Sequence, residues 1–212
     1  MTDPTGPKFY PVSLDVSGRA CLVVGGGRVA ARKAQGLIEC GALVTVVAPS
    51  LAPEMEALAP LLHAVERRPY SEGDGAGFRL VLTATGQPDV DGAVHADAEA
   101  NGVWVNSADD RSHSSFILPA LHRDGAVTIA VSTGGLSPAM ASWLRTRLAV
   151  ACGDGLGALA QVLGDTRARL RAEGSSVDDV DWAGLLEGPL PGLIAAGDID
   201  GGLSLILGAT NR

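Results

Sequence analysis

Aromatic side chains are scarce in this chain: Phe, Trp and Tyr make up 4% of its 212 residues. A stacking surface for single-stranded nucleic acid is built from such rings, so this composition argues against that class of partner. An excess of positive charge is lacking too. Sixteen Lys and Arg stand against 24 Asp and Glu, a formal net charge of −8. Long-range repulsion then opposes a polyphosphate as bulk partner, and an acidic ligand must be met by a locally basic pocket. No apolar run approaches the roughly 18 residues that would span a bilayer. The opening MTDPTGPKFYPVSL lacks the basic and then apolar order of a signal peptide. A cytoplasmic protein with neither nucleic acid nor membrane as partner is expected. Cysteine is sparse as well. Cys21, Cys40 and Cys152 form no C-x-x-C pair, so neither a disulfide framework nor a cysteine zinc site is indicated. Cys21 and Cys40 lie in apolar runs and are expected as small buried hydrophobes.

What is present is an ordinary globular composition, 46% hydrophobic and 19% charged, in a chain long enough to bury a real core. RACLVV (Arg19 to Val24) is a short apolar run that stops at three glycines. From Val29 the apolar spacing turns helical, through Ala30, Ala34, Leu37 and Ile38, with Lys33 on the same stripe, and Gly41 sits just past the helix end. VTVVA (Val44 to Ala48) is a second strand stopped by Pro49. Strand, glycine turn, helix and strand within about 30 residues is the size of one βαβ unit. Further strands follow at His63–Glu66, Leu80–Ala84 and Trp104–Asn106, with a helix from Pro88 to Ala100. Strands alternating with helices imply a parallel sheet covered on both faces.

After Asn106 the grammar changes. Phe116–Leu121 and Ala126–Ser132 are apolar runs joined through the hairpin signal Asp124-Gly125. Ser137 and Pro138 are the N-cap and first residue of a helix through Leu148. Helical segments Leu156–Glu173, Asp179–Glu187 and Pro191–Ala196 follow, separated by glycines. The expected architecture is α/β: a Rossmann-like parallel sheet domain over 1–107, a strand-helix segment over 108–150 and a small C-terminal helical domain over 151–212.

Gly25, Gly27 and Ala30 occupy the three small-residue positions of G-x-G-x-x-G/A. The first permits the tight turn, and the second lets backbone approach a pyrophosphate. The third lets helix and strand pack closely, and the diphosphate rests on the helix N-terminus. The usual acid at the end of the second strand, which hydrogen-bonds the adenine ribose, is missing from Val47-Ala48-Pro49-Ser50. Ser50 or backbone groups must serve there, and the choice of NAD over NADP stays open. The dinucleotide is expected on Gly25, Gly26, Gly27, Arg28 and Val29, on Pro49 and Ser50, and on Thr85.

Three segments carry a further pattern: FYPVSLDVSGRACLVVGGGRVAARKAQGLIECGALVTVVAP, VNSADDRSHSSFILPA and VSTGGLSPAMASWLRTRL. Together they resemble the precorrin-2 dehydrogenase/sirohydrochlorin ferrochelatase family of siroheme synthesis, in family order over Phe9 to Leu148. The resemblance implies oxidation of precorrin-2 to sirohydrochlorin with NAD, in many members also insertion of Fe²⁺ as a substrate, and a homodimer. It places the catalytic aspartate of an N-x-x-D segment on Asp109 of Asn106-Ser107-Ala108-Asp109, with Asp110 as an unusual neighbour. Its hydroxyl-rich loop falls on Ser132 to Pro138, with Thr133 replacing a serine.

Hydride removal needs the nicotinamide held against a macrocycle carbon while a base takes the accompanying proton. A carboxylate at Asp109 suits that base. The implied substrate carries eight carboxylates, so Arg111, His113, Ser115, Thr133 and Gly134 are the expected contacts. Ser114 and Ser115 have an equally good reading as residues that hold the loop in shape. No metal ligation by the protein is expected from one Asp and His113, and His63, His95 and His122 read as structural or surface residues. Two other classes stay open beside the dehydrogenase: a chelatase without redox function, and a non-enzymatic dinucleotide-sensing module.

Overall fold

The structure, a computed structural model, describes residues 9–108, 110–177 and 180–209. The chain divides into two compact units, Met1–Leu118 and Pro119–Arg212.

The first unit runs β1 (Ala20–Val24), α1 (Arg28–Glu39), β2 (Leu43–Val47), α2 (Pro53–Leu58), β3 (Ala64–Glu66), β4 (Leu80–Thr83), α3 (Pro88–Ala100) and β5 (Trp104–Ser107). The strands form one sheet in the order β3-β2-β1-β4-β5, and every adjacent pair is parallel. β1 lies in the middle and is apolar without alternation, because a central parallel strand is covered on both faces. Its period of two divides the core. Cys21 and Val23 pack with Ala30, Ala34 and Leu37 of α1 and Met55 of α2. Leu22 and Val24 pack on the other side with Val94 and Ala98 of α3. After β3 the chain crosses to the far side of β1, so the strand order reverses between β1 and β4. In a doubly wound sheet that reversal opens a crevice beyond the carboxyl ends of the strands.

The second unit begins with an antiparallel hairpin of β6 (Ala120–Asp124) and β7 (Val127–Val131). Asp124 pairs with Val127 across the two-residue turn Gly125-Ala126, where Gly125 has φ +53. α4 (Pro138–Cys152) packs on the hairpin and ends at Gly153, φ +74. α5 (Leu156–Ala172), α6 (Trp182–Glu187), α7 (Leu190–Ala195) and α8 (Ile199–Ala209) follow. They close a core of Leu159, Val162, Leu170, Leu185, Leu190, Ile194 and Ile206. Gly157 at the start of α5 meets the hairpin turn so closely that a Cβ there would lie 2.7 Å from the Asp124 carbonyl oxygen.

The α/β reading, the βαβ start, the Asp124-Gly125 hairpin and the Ser137 cap all appear as expected; the Ser137 hydroxyl accepts from Met140 N at 3.2 Å. Three details differ. Phe116 to Leu118 are not strand: Phe116 packs against the core of the first unit, and the ladder starts after Pro119, which has no N–H to donate. Cys40 is exposed, unlike Cys21, because it falls past the last turn of α1 on the solvent side. α8 was not anticipated, since Gly201, Gly202 and Gly208 interrupt its pattern. Gly202 is buried there because a Cβ would lie 2.6 Å from Ile194 Cδ1, so the glycine is what lets α7 and α8 touch.

Burial pushes the Cys21 thiol up to about 11, which keeps it a poor nucleophile at neutral pH. Labelling the native protein with an alkylating reagent at pH 8 should therefore modify Cys152 and Cys40 and spare Cys21 until denaturant is added. Rapid native labelling of Cys21 would contradict the closed β1 core.

Candidate active site

The site grows from the end of β1. Gly25 has φ +120, and a Cβ on it would overlap the Ala84 carbonyl and approach Thr85 N to 3.3 Å. Its N–H donates to Val47 O at 3.0 Å. A Cβ on Gly26 would overlap the Ser50 carbonyl, while Gly26 O accepts from Ala52 N at 2.8 Å. These two glycines let the ends of β1, β2 and β4 meet backbone to backbone.

Gly27 is different. It is the N-cap of α1 at φ −79, and a Cβ built on it meets nothing within 4 Å. No side chain caps the helix there, so the first-turn amides and the positive end of the dipole look into open space. Arg28, Val29, Pro49 and Ser50 are exposed around this opening, and Ala30 is fully buried behind it. Uncapped amides, an adjacent guanidinium and space beside a Cβ-less residue fit a diphosphate.

The β4 end supplies the opposite wall. Thr85 is half-buried; its hydroxyl donates to Asp91 Oδ1 at 2.8 Å and accepts from Gln87 N at 3.0 Å. The same Asp91 oxygen accepts from the Thr83 hydroxyl and from Thr85 N at 3.4 Å. Asp91 was not anticipated from sequence. Its signal was an acid in the first turn of a helix that follows T-x-T at a strand end.

Beyond β5 the loop is clasped by side chains. Ser115 Oγ accepts from Val105 N at 2.8 Å and donates to Val105 O at 3.2 Å. Ser107 N donates to Ser114 Oγ at 2.9 Å. Asn106 Nδ2 donates to Phe116 O at 2.9 Å, and its oxygen accepts from Lys33 Nζ of α1 at 2.7 Å. Ser114 and Ser115 thus hold the loop, and Lys33 reaches the sheet edge from the apolar stripe of α1. The contacts that draw residues 114–116 onto β5 are why the first unit extends to Leu118.

Asp110 caps the short 3-10 turn Arg111–His113, accepting from Ser112 N at 2.7 Å and Ser112 Oγ at 2.6 Å. The Ser112 hydroxyl, the Ser112 amide and the facing His113 hold the Asp110 carboxyl below the usual carboxylate range. His113 Nδ1 lies 3.3 Å from Asp110 Oδ2. The His113 ring rests on α3, 5.2 Å from that of His95. Arg111 turns instead to the Phe9 ring, 5.4 Å from its centroid. Gly86, Pro88, Asp91, Asp110 and His113 line a cleft of about 300 Å³, room for one ring and not for a whole macrocycle.

Gly25 to Val29, Pro49, Ser50 and Thr85 are therefore gathered at one sheet edge, with His113 at the cleft beside Thr85's turn. Asp109 lies outside the described residues. Thr133 and Gly134 belong to the second unit, in a turn closed on itself: Thr133 Oγ1 accepts from Ser137 N and donates to Ser137 O, both at 3.0 Å. Among the described residues no group of three or more His, Cys, Asp or Glu is arranged to hold a metal.

Residues 12–120, slightly more than half the chain, match the family model described as putative NAD(P)-binding, and residues 124–151 match that of the sirohaem biosynthesis protein central segment. The chain belongs to the precorrin-2 dehydrogenase family of siroheme synthesis. The siroheme synthase of Chromobacterium violaceum is 40% identical over 196 residues, covering 90% of this chain and 41% of that protein. The siroheme synthase of Methylococcus capsulatus is 34% identical over 209 residues, covering 96% and 44%. The chain thus spans about two-fifths of the length of the curated relatives it matches. The solved structure of SirC, precorrin-2 dehydrogenase, superposes with a TM-score of 0.74 at 26% identity, over 94% of this chain and 100% of that one. The family membership expected from the three sequence segments stands, as do the Rossmann-like fold expected from the alternating strands and helices and NAD as the cofactor.

Two glycine substitutions separate fold from binding. Gly25→Ala should lower stability by about 1–3 kcal/mol in denaturant unfolding, because φ +120 is strained for alanine and its methyl group would meet Ala84. Gly27→Ala should leave unfolding unchanged and weaken NAD binding in calorimetry, since its methyl group occupies the space left for the diphosphate. Equal effects of the two on stability would contradict the assignment.

Proposed function

We propose that this chain oxidises precorrin-2 to sirohydrochlorin with NAD in the cytoplasm. The observation that carries the reading is the uncapped start of α1 at Gly27, two residues past the close approach of Gly25 to the β4 turn, at the strand-order reversal, in a chain of this family. NAD, when bound, supplies the hydride acceptor. The glycine turn and the α1 amides bind its diphosphate, and the β4 turn bounds the crevice. Asp109, by its N-x-x-D position, takes the proton that leaves the macrocycle; its chain neighbour Ala108 is fixed to Thr83 O at 2.9 Å. His113 and Arg111 are the proposed hydrogen-bond donors to substrate carboxylates. The family resemblance alone proposes Thr133 and Gly134 as further substrate contacts. Ser115 acts through the loop, since its hydroxyl is committed to Val105. The family resemblance extends the reading to Fe²⁺, as a substrate inserted into the oxidised macrocycle.

The test is anaerobic turnover of precorrin-2 with NAD. The absorbance of sirohydrochlorin should appear, and Asp109→Ala should slow it about 10²- to 10⁴-fold, the range of a lost general base, without loss of the folded far-UV signal. No turnover by the unaltered protein sinks the proposal.

The same reading includes a homodimer through α4. Ala141 is the helix's one buried residue among those described, while Met140, Trp143, Leu148 and Val150 are exposed. A helix with so much apolar surface left open marks an interaction face. Sedimentation should show a dimer, and Trp143→Glu should shift it to monomer. An unaltered protein that sediments as a monomer at micromolar concentration would overturn this part.

A further inference from the structure

Asp91 has no part in the chemistry described so far, yet it is 4% exposed and carries no ion pair among the described residues. A buried carboxylate is costly unless strong hydrogen bonds hold it. Here Oδ1 accepts from the Thr83 hydroxyl at the last residue of β4, the Thr85 hydroxyl at 2.8 Å and Thr85 N at 3.4 Å. The three donors come from opposite sides of Ala84, and Asp91 itself stands in the first turn of α3. It therefore fixes the β4-to-α3 turn from within. That turn is the surface on which Gly25 rests, with no room between them for a methyl group, so the shape of one turn determines the position of the other. Asp91 also lines the cleft with Gly86 and Pro88.

We propose that Asp91 is a cofactor-positioning residue: through Thr85 it sets the shape of the turn against which Gly25 and the dinucleotide are seated. The proposal rests on NAD binding at the glycine turn. Its basis is the acceptor oxygen, not the negative charge, because all three donors converge on Oδ1. Asparagine offers the same oxygen in the same place.

Titration calorimetry with NAD alone, paired with thermal unfolding, tests it on the full chain. Asp91→Ala should raise the NAD Kd about tenfold, and Asp91→Asn should restore it to within about twofold. Thr83→Val removes the donor on the strand side, away from the turn. It should lower Tm by a few degrees and leave the NAD Kd unchanged, which separates positioning from general loss of stability. In the Thr85→Ala background, Asp91→Ala should add little further loss, because the two act as one unit. Four outcomes overturn the proposal. They are an unchanged Kd in folded Asp91→Ala, no rescue by Asp91→Asn, a Thr83→Val effect as large as that of Asp91→Ala, and full additivity with Thr85→Ala. Failure of the unaltered protein to bind NAD is a different result, and it removes the functional reading itself.

Discussion

The contact between Gly25 and the carbonyl of Ala84 governs the architecture of the first unit. Two strand ends approach each other there with no side chain between them, at the point where the sheet changes direction. Gly26 makes the equivalent approach to Ser50 from the other side. With both in place, α1 begins where a diphosphate can reach its amides, and the β4 turn stands opposite at a fixed distance. A larger residue at either glycine would part the strands before it touched any ligand. The fold thus builds the binding crevice from missing atoms, and the polar groups around it are arranged on that frame.

Polar satisfaction then decides which loops are rigid. The stretch after β5 has little apolar material, and a loop of that kind ordinarily moves. Here Ser114, Ser115 and Asn106 bond it back to the strand it came from, and Asp110 caps its short turn. Asp110 is thereby held beyond the sheet's carboxyl edge at small cost in hydrophobic area. The ionised Asp110 suits this role, since the Ser112 donors favour the charged form and keep the turn closed through the neutral range.

Much of this was legible in the sequence, for local reasons. RACLVV running into three glycines, the Asp124-Gly125 pair and Ser137-Pro138 each encode a backbone event within four residues, so a linear reading finds them. The three segments that identified the family are of the same local kind. What escaped depends on tertiary partners. Gly202 reads as a helix breaker until Ile194 is seen against it. Phe116 reads as strand until the first unit's core claims it. Cys40 reads as buried because apolar residues precede it, although the helix has already turned it outward. Lys33 stands on the apolar stripe of α1 and Asp91 in the first turn of α3, and nothing in the sequence says what either one bonds. Their partners, Thr83 and Asn106, lie on strands that sequence spacing alone does not bring to them.

The Lys33–Asn106 bond joins residues 73 positions apart. Bringing such distant points together costs chain entropy that local helices and turns do not incur. The bond can form only when β5 has docked beside β4 and α1 already lies on the sheet. It is therefore a marker of completed assembly, present only when α1 and the distal edge of the sheet are both in place.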